Sequence, residues 1–89
     1  MKLTFTDSAL GDLKRLRTFI AEKNPPAAHR ISLRLIHSIK KLVGQPQMGV
    51  NVEELSGVKD LIAADYVVRY TILDNELFIL HIWHAKEDR

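Results

Sequence analysis

Tyr66-Val67-Val68-Arg69-Tyr70-Thr71-Ile72-Leu73-Asp74-Asn75-Glu76-Leu77-Phe78-Ile79-Leu80-His81-Ile82-Trp83 is the stretch that decides the fold. Two runs rich in Val, Ile, Tyr, Phe and Trp flank Asp74-Asn75, and a two-residue joint of this kind closes a β-hairpin. Leu73 then lies opposite Glu76, and two faces can be written out. One holds Tyr66, Val68, Tyr70, Ile72, Leu77, Ile79, His81 and Trp83; the other holds Val67, Arg69, Thr71, Leu73, Glu76, Phe78, Leu80 and Ile82. The first has no formal charge and most of the aromatic area, so it is expected to pack on the rest of the chain. The second, with Arg69, is expected to look outward. An outward face bearing Val67, Phe78, Leu80 and Ile82 is too apolar to be left to water. Either a partner covers it or the register differs by one.

Working back from the hairpin, residues 58–63 are also β-rich and are divided from it by Ala64-Asp65, which predicts three antiparallel strands in a meander. Residues 45–54 read as a polar connection with Gly49 as a candidate turn. Before that the period becomes helical. Ala28, Ile31, Leu35, Ile39 and Leu42 make one stripe of a helix from about Pro26 to Val43, with Gly44 and Pro46 as the stop. Ala9, Leu13, Leu16 and Ile20 make the stripe of a helix from Asp7 to about Lys23, with Asp7-Ser8 as its cap. Asn24-Pro25-Pro26 is the joint between the two, because a proline in the first turn of a helix loses no needed donor. Residues 2–6 read as a short strand. The expected architecture is α+β: an N-terminal strand, a helical hairpin and a three-stranded antiparallel meander, the helices packing on one face of the sheet.

The chain has 89 residues, 46% apolar and 27% charged, and contains no cysteine. A single domain spanning residues 1–89 is expected, since so short a chain has surface for one core only. Disulfides, cysteine-ligated zinc and a thiol nucleophile are excluded. No apolar run has the length of a signal peptide or a membrane span, and a cytoplasmic location is the expectation. The formal net charge of +2 hides an asymmetry: residues 1–49 carry nine Lys/Arg against three acids, and residues 50–89 four against eight. Arg30, Arg34, His37 and Lys41 recur at spacings of 4, 3 and 4, which puts them within about 60° of one another on a helix, roughly opposite its apolar stripe. This ridge is either a surface for an acidic or nucleic-acid-bound target or a solvated face.

No stand-alone catalytic motif is present: there is no glycine-rich phosphate loop, Gly-x-Ser-x-Gly or His-Glu-x-x-His. His81 and His84 are three apart, so on a strand they point to opposite faces, and no metal site is expected. His81 reads as a hydrogen-bonded core residue, and His84 as either functional or a surface residue at the strand end. No cofactor is expected.

Five segments in order carry a resemblance: Asn24-Pro25-x-Ala27-Ala28, Pro46-x-Met48-Gly49, Leu55-x-Gly57-Val58-Lys59-x-Leu61, Tyr66-Val67-Val68-Arg69-Tyr70 and Ile79-Leu80-x-Ile82-x-His84. Together they resemble the RelE/ParE superfamily of bacterial type II toxins, over nearly the whole chain. The resemblance implies a toxin held inactive by a cognate antitoxin in a hetero-oligomeric complex, and it makes Val67, Phe78, Leu80 and Ile82 the expected antitoxin-binding row. Ribonuclease members cut mRNA on the ribosome, which requires a base, an acid and phosphate-holding cations. Lys59, Arg69, His84 and Arg89 are the candidates for those roles here. Leu61 and Val67, however, stand where RelE-like members carry cations, and the terminal basic run is thinned to Lys86 and Arg89. The chain is more similar to ParE-like members, which implies DNA gyrase as the target and no catalysis by the toxin. Arg30, Arg34, His37 and Lys41 are then the candidate target-binding residues. The alternatives are ribosome-dependent mRNA cleavage, or an inactive relative that retains only antitoxin binding.

Overall fold

A computed structural model of the chain describes residues 1–86. The order is β1 (Lys2–Phe5), α1 (Asp7–Lys23), α2 (Pro25–Gly44), β2 (Val50–Asn51), β3 (Val58–Ala63), β4 (Tyr66–Leu73) and β5 (Glu76–His84). The strands form one sheet in the order β1-β5-β4-β3-β2, with β1 parallel to β5 and the other pairs antiparallel. The expected α+β arrangement is therefore present, with one addition. Two residues of the connection after α2 form β2 and lengthen the sheet beyond β3.

Each junction has a local cause. Thr6, rather than Asp7-Ser8, caps α1: its hydroxyl accepts the Ala9 N–H at 3.2 Å and donates to the Ile79 carbonyl at 2.9 Å, so one side chain starts the helix and ties it to β5. Asn24 serves both helices. Its N–H donates to the Ile20 carbonyl at 2.8 Å, and its side-chain oxygen accepts the Ala27 N–H at 3.2 Å, with Pro25 in the first turn of α2 where no donor is needed. Ala64-Asp65 and Asp74-Asn75 all have positive φ, as a two-residue hairpin turn requires. Ala64 is the one residue of the four whose side chain gains nothing from that conformation.

The helices cover one face of the sheet. Leu16 of α1, with Leu35, Ile39 and Leu42 of α2, meets Leu61, Val68, Tyr70, Leu77, Ile79 and Ile82. The meander has the expected register for its first four pairs, from Leu73 opposite Glu76 to Tyr70 opposite Ile79. It then slips: Arg69 lies opposite His81, Val68 opposite Ile82 and Val67 opposite Trp83. Leu80 is the extra residue of a β-bulge, and beyond it every side chain of β5 changes face. Three sequence expectations are overturned by this one residue. His81, expected inward, lies opposite Arg69. Ile82, expected outward, is fully buried in the core, and Trp83, expected inward, lies with Val67 on the other face.

Strand β1 ends opposite Ile79, so the rest of that edge of β5 has no neighbouring strand. Asp12 of α1 takes its place. One carboxylate oxygen accepts the Ile82 N–H at 3.0 Å and stands 3.2 Å from His81 Nδ1, while the other lies 3.6 Å from Arg15. His81 is thus hydrogen-bonded as expected, but to a helix at the sheet edge and not inside the core.

Candidate functional site

Three groups of residues were expected to carry function, and the fold treats them differently. The α2 cations form one continuous feature. Arg30, Arg34, His37 and Lys41 are all exposed on the side of α2 away from Leu35, Ile39 and Leu42. The helix holds no acidic residue, and among the described residues none of the four has a carboxylate within ion-pair distance. Leu33, 55% exposed, borders them on one flank and Ser38 on the other.

The outer face of the sheet is built around Arg69. Its Nε and one terminal nitrogen donate to the two oxygens of Asp60 at 2.9 and 3.0 Å, and its guanidinium lies 5.0 Å from the centre of the Trp83 ring. The hydrogen bonds to Asp60 hold the Arg69 pKa above its ordinary value. Such a two-pronged pair over an aromatic face leaves the guanidinium already occupied on one edge and one plane. Around it, Phe78 and Leu80 are half-buried, and Ile62 and Val50 are 64% and 67% exposed. Of the expected antitoxin row, Phe78 and Leu80 are available on the surface. Val67 is on the expected face but only 8% exposed, and Ile82 is withdrawn by the bulge. The sequence leaves an ion pair across the sheet open for Arg69 without naming Asp60, and Ile62 was missed, although a signal existed for both: with Ala64-Asp65 as a two-residue turn, Ile62 falls opposite Val67 and Asp60 opposite Arg69.

The described ribonuclease candidates do not converge. Lys59 is opposite Tyr70, so it sits on the side of the sheet away from Arg69, and its Nζ donates to Asn51 at 2.7 Å. His84 is opposite Tyr66, and the two rings meet edge to face at 5.0 Å. Tyr66 and Tyr70 are four residues apart along β4, and β4 lies between β3 and β5, which separates the Lys59 and His84 positions by about 16 Å. His84 Nδ1 accepts the Lys86 N–H at 3.1 Å, so that ring nitrogen is engaged within the chain. Arg89 lies outside the described residues. Among the described residues no three His, Asp or Glu side chains are grouped to hold a metal ion.

One further constellation supports the sheet. Tyr70, fully buried, donates from its hydroxyl to the Pro46 carbonyl at 2.8 Å and accepts the Gly49 N–H at 2.9 Å. A Cβ at position 49 would stand 2.6 Å from that hydroxyl and 2.9 Å from the Asp60 carbonyl, so only glycine lets the loop lie this close. The Pro46-x-Met48-Gly49 segment and the second tyrosine of Tyr66-Val67-Val68-Arg69-Tyr70 are thus two halves of one contact.

This arrangement of hairpin on sheet is that of type II toxins. Residues 3–89 match the family described as ParE toxin of type II toxin-antitoxin system, parDE, and the chain belongs to that family. Toxin RelE2 of Caulobacter vibrioides is 32% identical over 88 residues, covering 94% of each chain. Toxin RelE1 of the same organism is 29% identical over 80 residues, covering 88% of this chain and 86% of its own. The fold is shared with a chain of a solved structure titled as the chromosomal ParDE TA system from P. aeruginosa. The TM-score is 0.83 at 22% identity, over 94% of this chain and 95% of that one. The protein is accordingly the toxin component of a toxin-antitoxin module, with a cognate antitoxin as its partner.

Proposed function

We propose that this toxin acts as a non-catalytic inhibitor of DNA gyrase, and that its antitoxin is held partly by Phe78, Leu80 and Ile62 on the outer face of the sheet. The observation that carries the non-catalytic reading is the dispersal of Lys59, Arg69 and His84. They occupy two faces of the sheet, and each is engaged with a neighbour inside the chain. Acid–base cleavage of RNA needs a base, an acid and cations within hydrogen-bond reach of a single phosphate. No one phosphate reaches all three positions. The exposed α2 cations, by contrast, are free to meet a target without rearrangement. The second reading, ribosome-dependent mRNA cleavage, draws on the half-exposed His84 at the end of β5.

The test is a gyrase supercoiling assay with purified toxin, run beside a translation-coupled mRNA cleavage assay. Loss of supercoiling with intact mRNA is expected. Cleavage that disappears in His84→Ala overturns the proposal and points to His84 as the acid or the base.

A further inference from the structure

We infer that the exposed face of α2 binds the phosphate backbone of duplex DNA directly, without a protein intermediary. The geometry comes first. Arg30 and Lys41 are eleven helical steps apart, which makes a row of cations about 16 Å long on a straight helix. Duplex DNA presents one negative charge per ~1.7 Å of its axis, so such a row lies against several phosphates at once. Nothing on the helix competes for these cations. It holds no acid even in its first turn, where a carboxylate is favourable, and among the described residues none of the four is ion-paired.

Two other occupants fit less well. Single-stranded nucleic acid is gripped by aromatic rings on which bases stack, and α2 has no aromatic side chain except the two imidazoles. Phe19 of α1 is the aromatic ring of the helical layer, and the Lys23 ammonium already covers it at 5.3 Å. An acidic protein partner is held at a core of buried apolar anchors with charges at the rim, whereas Leu33 is the single large apolar side chain strongly exposed on α2. A long row of unpaired cations with one apolar neighbour matches a phosphate backbone.

The test measures binding of a labelled duplex of about 20 base pairs by fluorescence anisotropy, with purified toxin and no gyrase present. With Arg30, Arg34 and Lys41 each neutralising a phosphate, log K should fall with log salt at a slope of about −2.7, which is roughly 40-fold between 50 and 200 mM. Arg34→Glu with Lys41→Glu should abolish binding at 50 mM, while Lys14→Glu with Lys23→Glu, an equal change in net charge on α1, should lower it only severalfold. Far-UV circular dichroism checks that each variant is folded; if the Glu pair is not, Arg34→Ala with Lys41→Ala replaces it and should still cost at least tenfold. Four results overturn the inference: no binding at 50 mM salt, binding independent of salt, equal losses in the two charge-reversed pairs, or displacement of the duplex by lower concentrations of single-stranded DNA or polyglutamate. The gyrase reading is tested separately, since DNA binding with no effect on supercoiling refutes that reading and leaves this one standing.

Discussion

Tyr70→Phe isolates the contact that ties the α2–β2 loop to the sheet. The substitution keeps the ring in the core and deletes one oxygen, leaving the Pro46 carbonyl and the Gly49 N–H without the partner each has at 2.8 and 2.9 Å. Orphaning a buried polar group costs roughly 1–3 kcal/mol. Pro46 and Gly49 are half-buried, so water recovers part of this, and about 1–2 kcal/mol is the expected loss. For a chain of this size ~1 kcal/mol moves Tm by roughly 4–8 °C, so thermal and urea unfolding should show a drop of the order of 10 °C. Alkaline pH gives an independent reading. Burial pushes the Tyr70 phenol up, against a smaller opposing effect of the Gly49 N–H. The folded chain therefore keeps a proton that the unfolded chain releases near pH 10. The stabilisation is full below about pH 10 and is lost as pH rises through the raised folded value. The wild-type advantage over Tyr70→Phe should shrink over that range. A Tm within 2 °C of wild type, or an advantage that grows above pH 10, refutes the reasoning.

The bulge separates two neighbouring leucine-sized side chains. Ile82→Asp forces a carboxylate into the core and should leave the chain unfolded at 25 °C by circular dichroism, whereas Leu80→Asp should fold and weaken the antitoxin complex by about 2 kcal/mol or more, some 30-fold in Kd. Unchanged affinity in folded Leu80→Asp moves the antitoxin off this face. Arg69→Ala orphans the Asp60 carboxylate and uncovers Trp83, and should cost about 1–2 kcal/mol in urea unfolding, with Arg69→Lys recovering less than half because an ammonium cannot bridge both oxygens. Full recovery by lysine shows that charge alone matters there.

The parts of the fold written in local chemistry were readable before any coordinates. Asn24-Pro25, the two-residue turns and the apolar stripes of both helices each announce themselves within a few residues, and all are present with small shifts of boundary. Thr6 escaped notice as a cap because its second role, donation to Ile79, depends on a strand more than seventy residues away. The bulge escaped for a similar reason. Nothing within residues 76–84 marks Leu80 as supernumerary, since apolar residues surround it and either register buries hydrophobic surface; the choice is made by the helices and by Asp12, which takes the Ile82 N–H. The candidate site followed the same division. The α2 row is a matter of spacing and was legible, and Asp60 opposite Arg69 follows from counting back across the Ala64-Asp65 turn, while the engagement of Lys59 with Asn51 and of His84 with Lys86 became visible only in three dimensions.

That single inserted residue also bears on what Arg69 can do. Were the register continuous, Trp83 would face the helices and Arg69 would stand on an open sheet, a cation free to take a phosphate. The slip after Tyr70 brings the indole beneath the guanidinium, 5.0 Å from the ring centre, while Asp60 on the neighbouring strand closes on its edge. To bind a phosphate, Arg69 would have to surrender two charge-assisted hydrogen bonds, which together contribute about 1–2 kcal/mol at this partly exposed site, and leave Asp60 beside the incoming anion. The same bulge draws Ile82 into the core, so the irregularity that completes the packing also removes a cation from the surface. Free positive charge is left on α2, where the core needs none of it and a partner can be met without disturbing the fold.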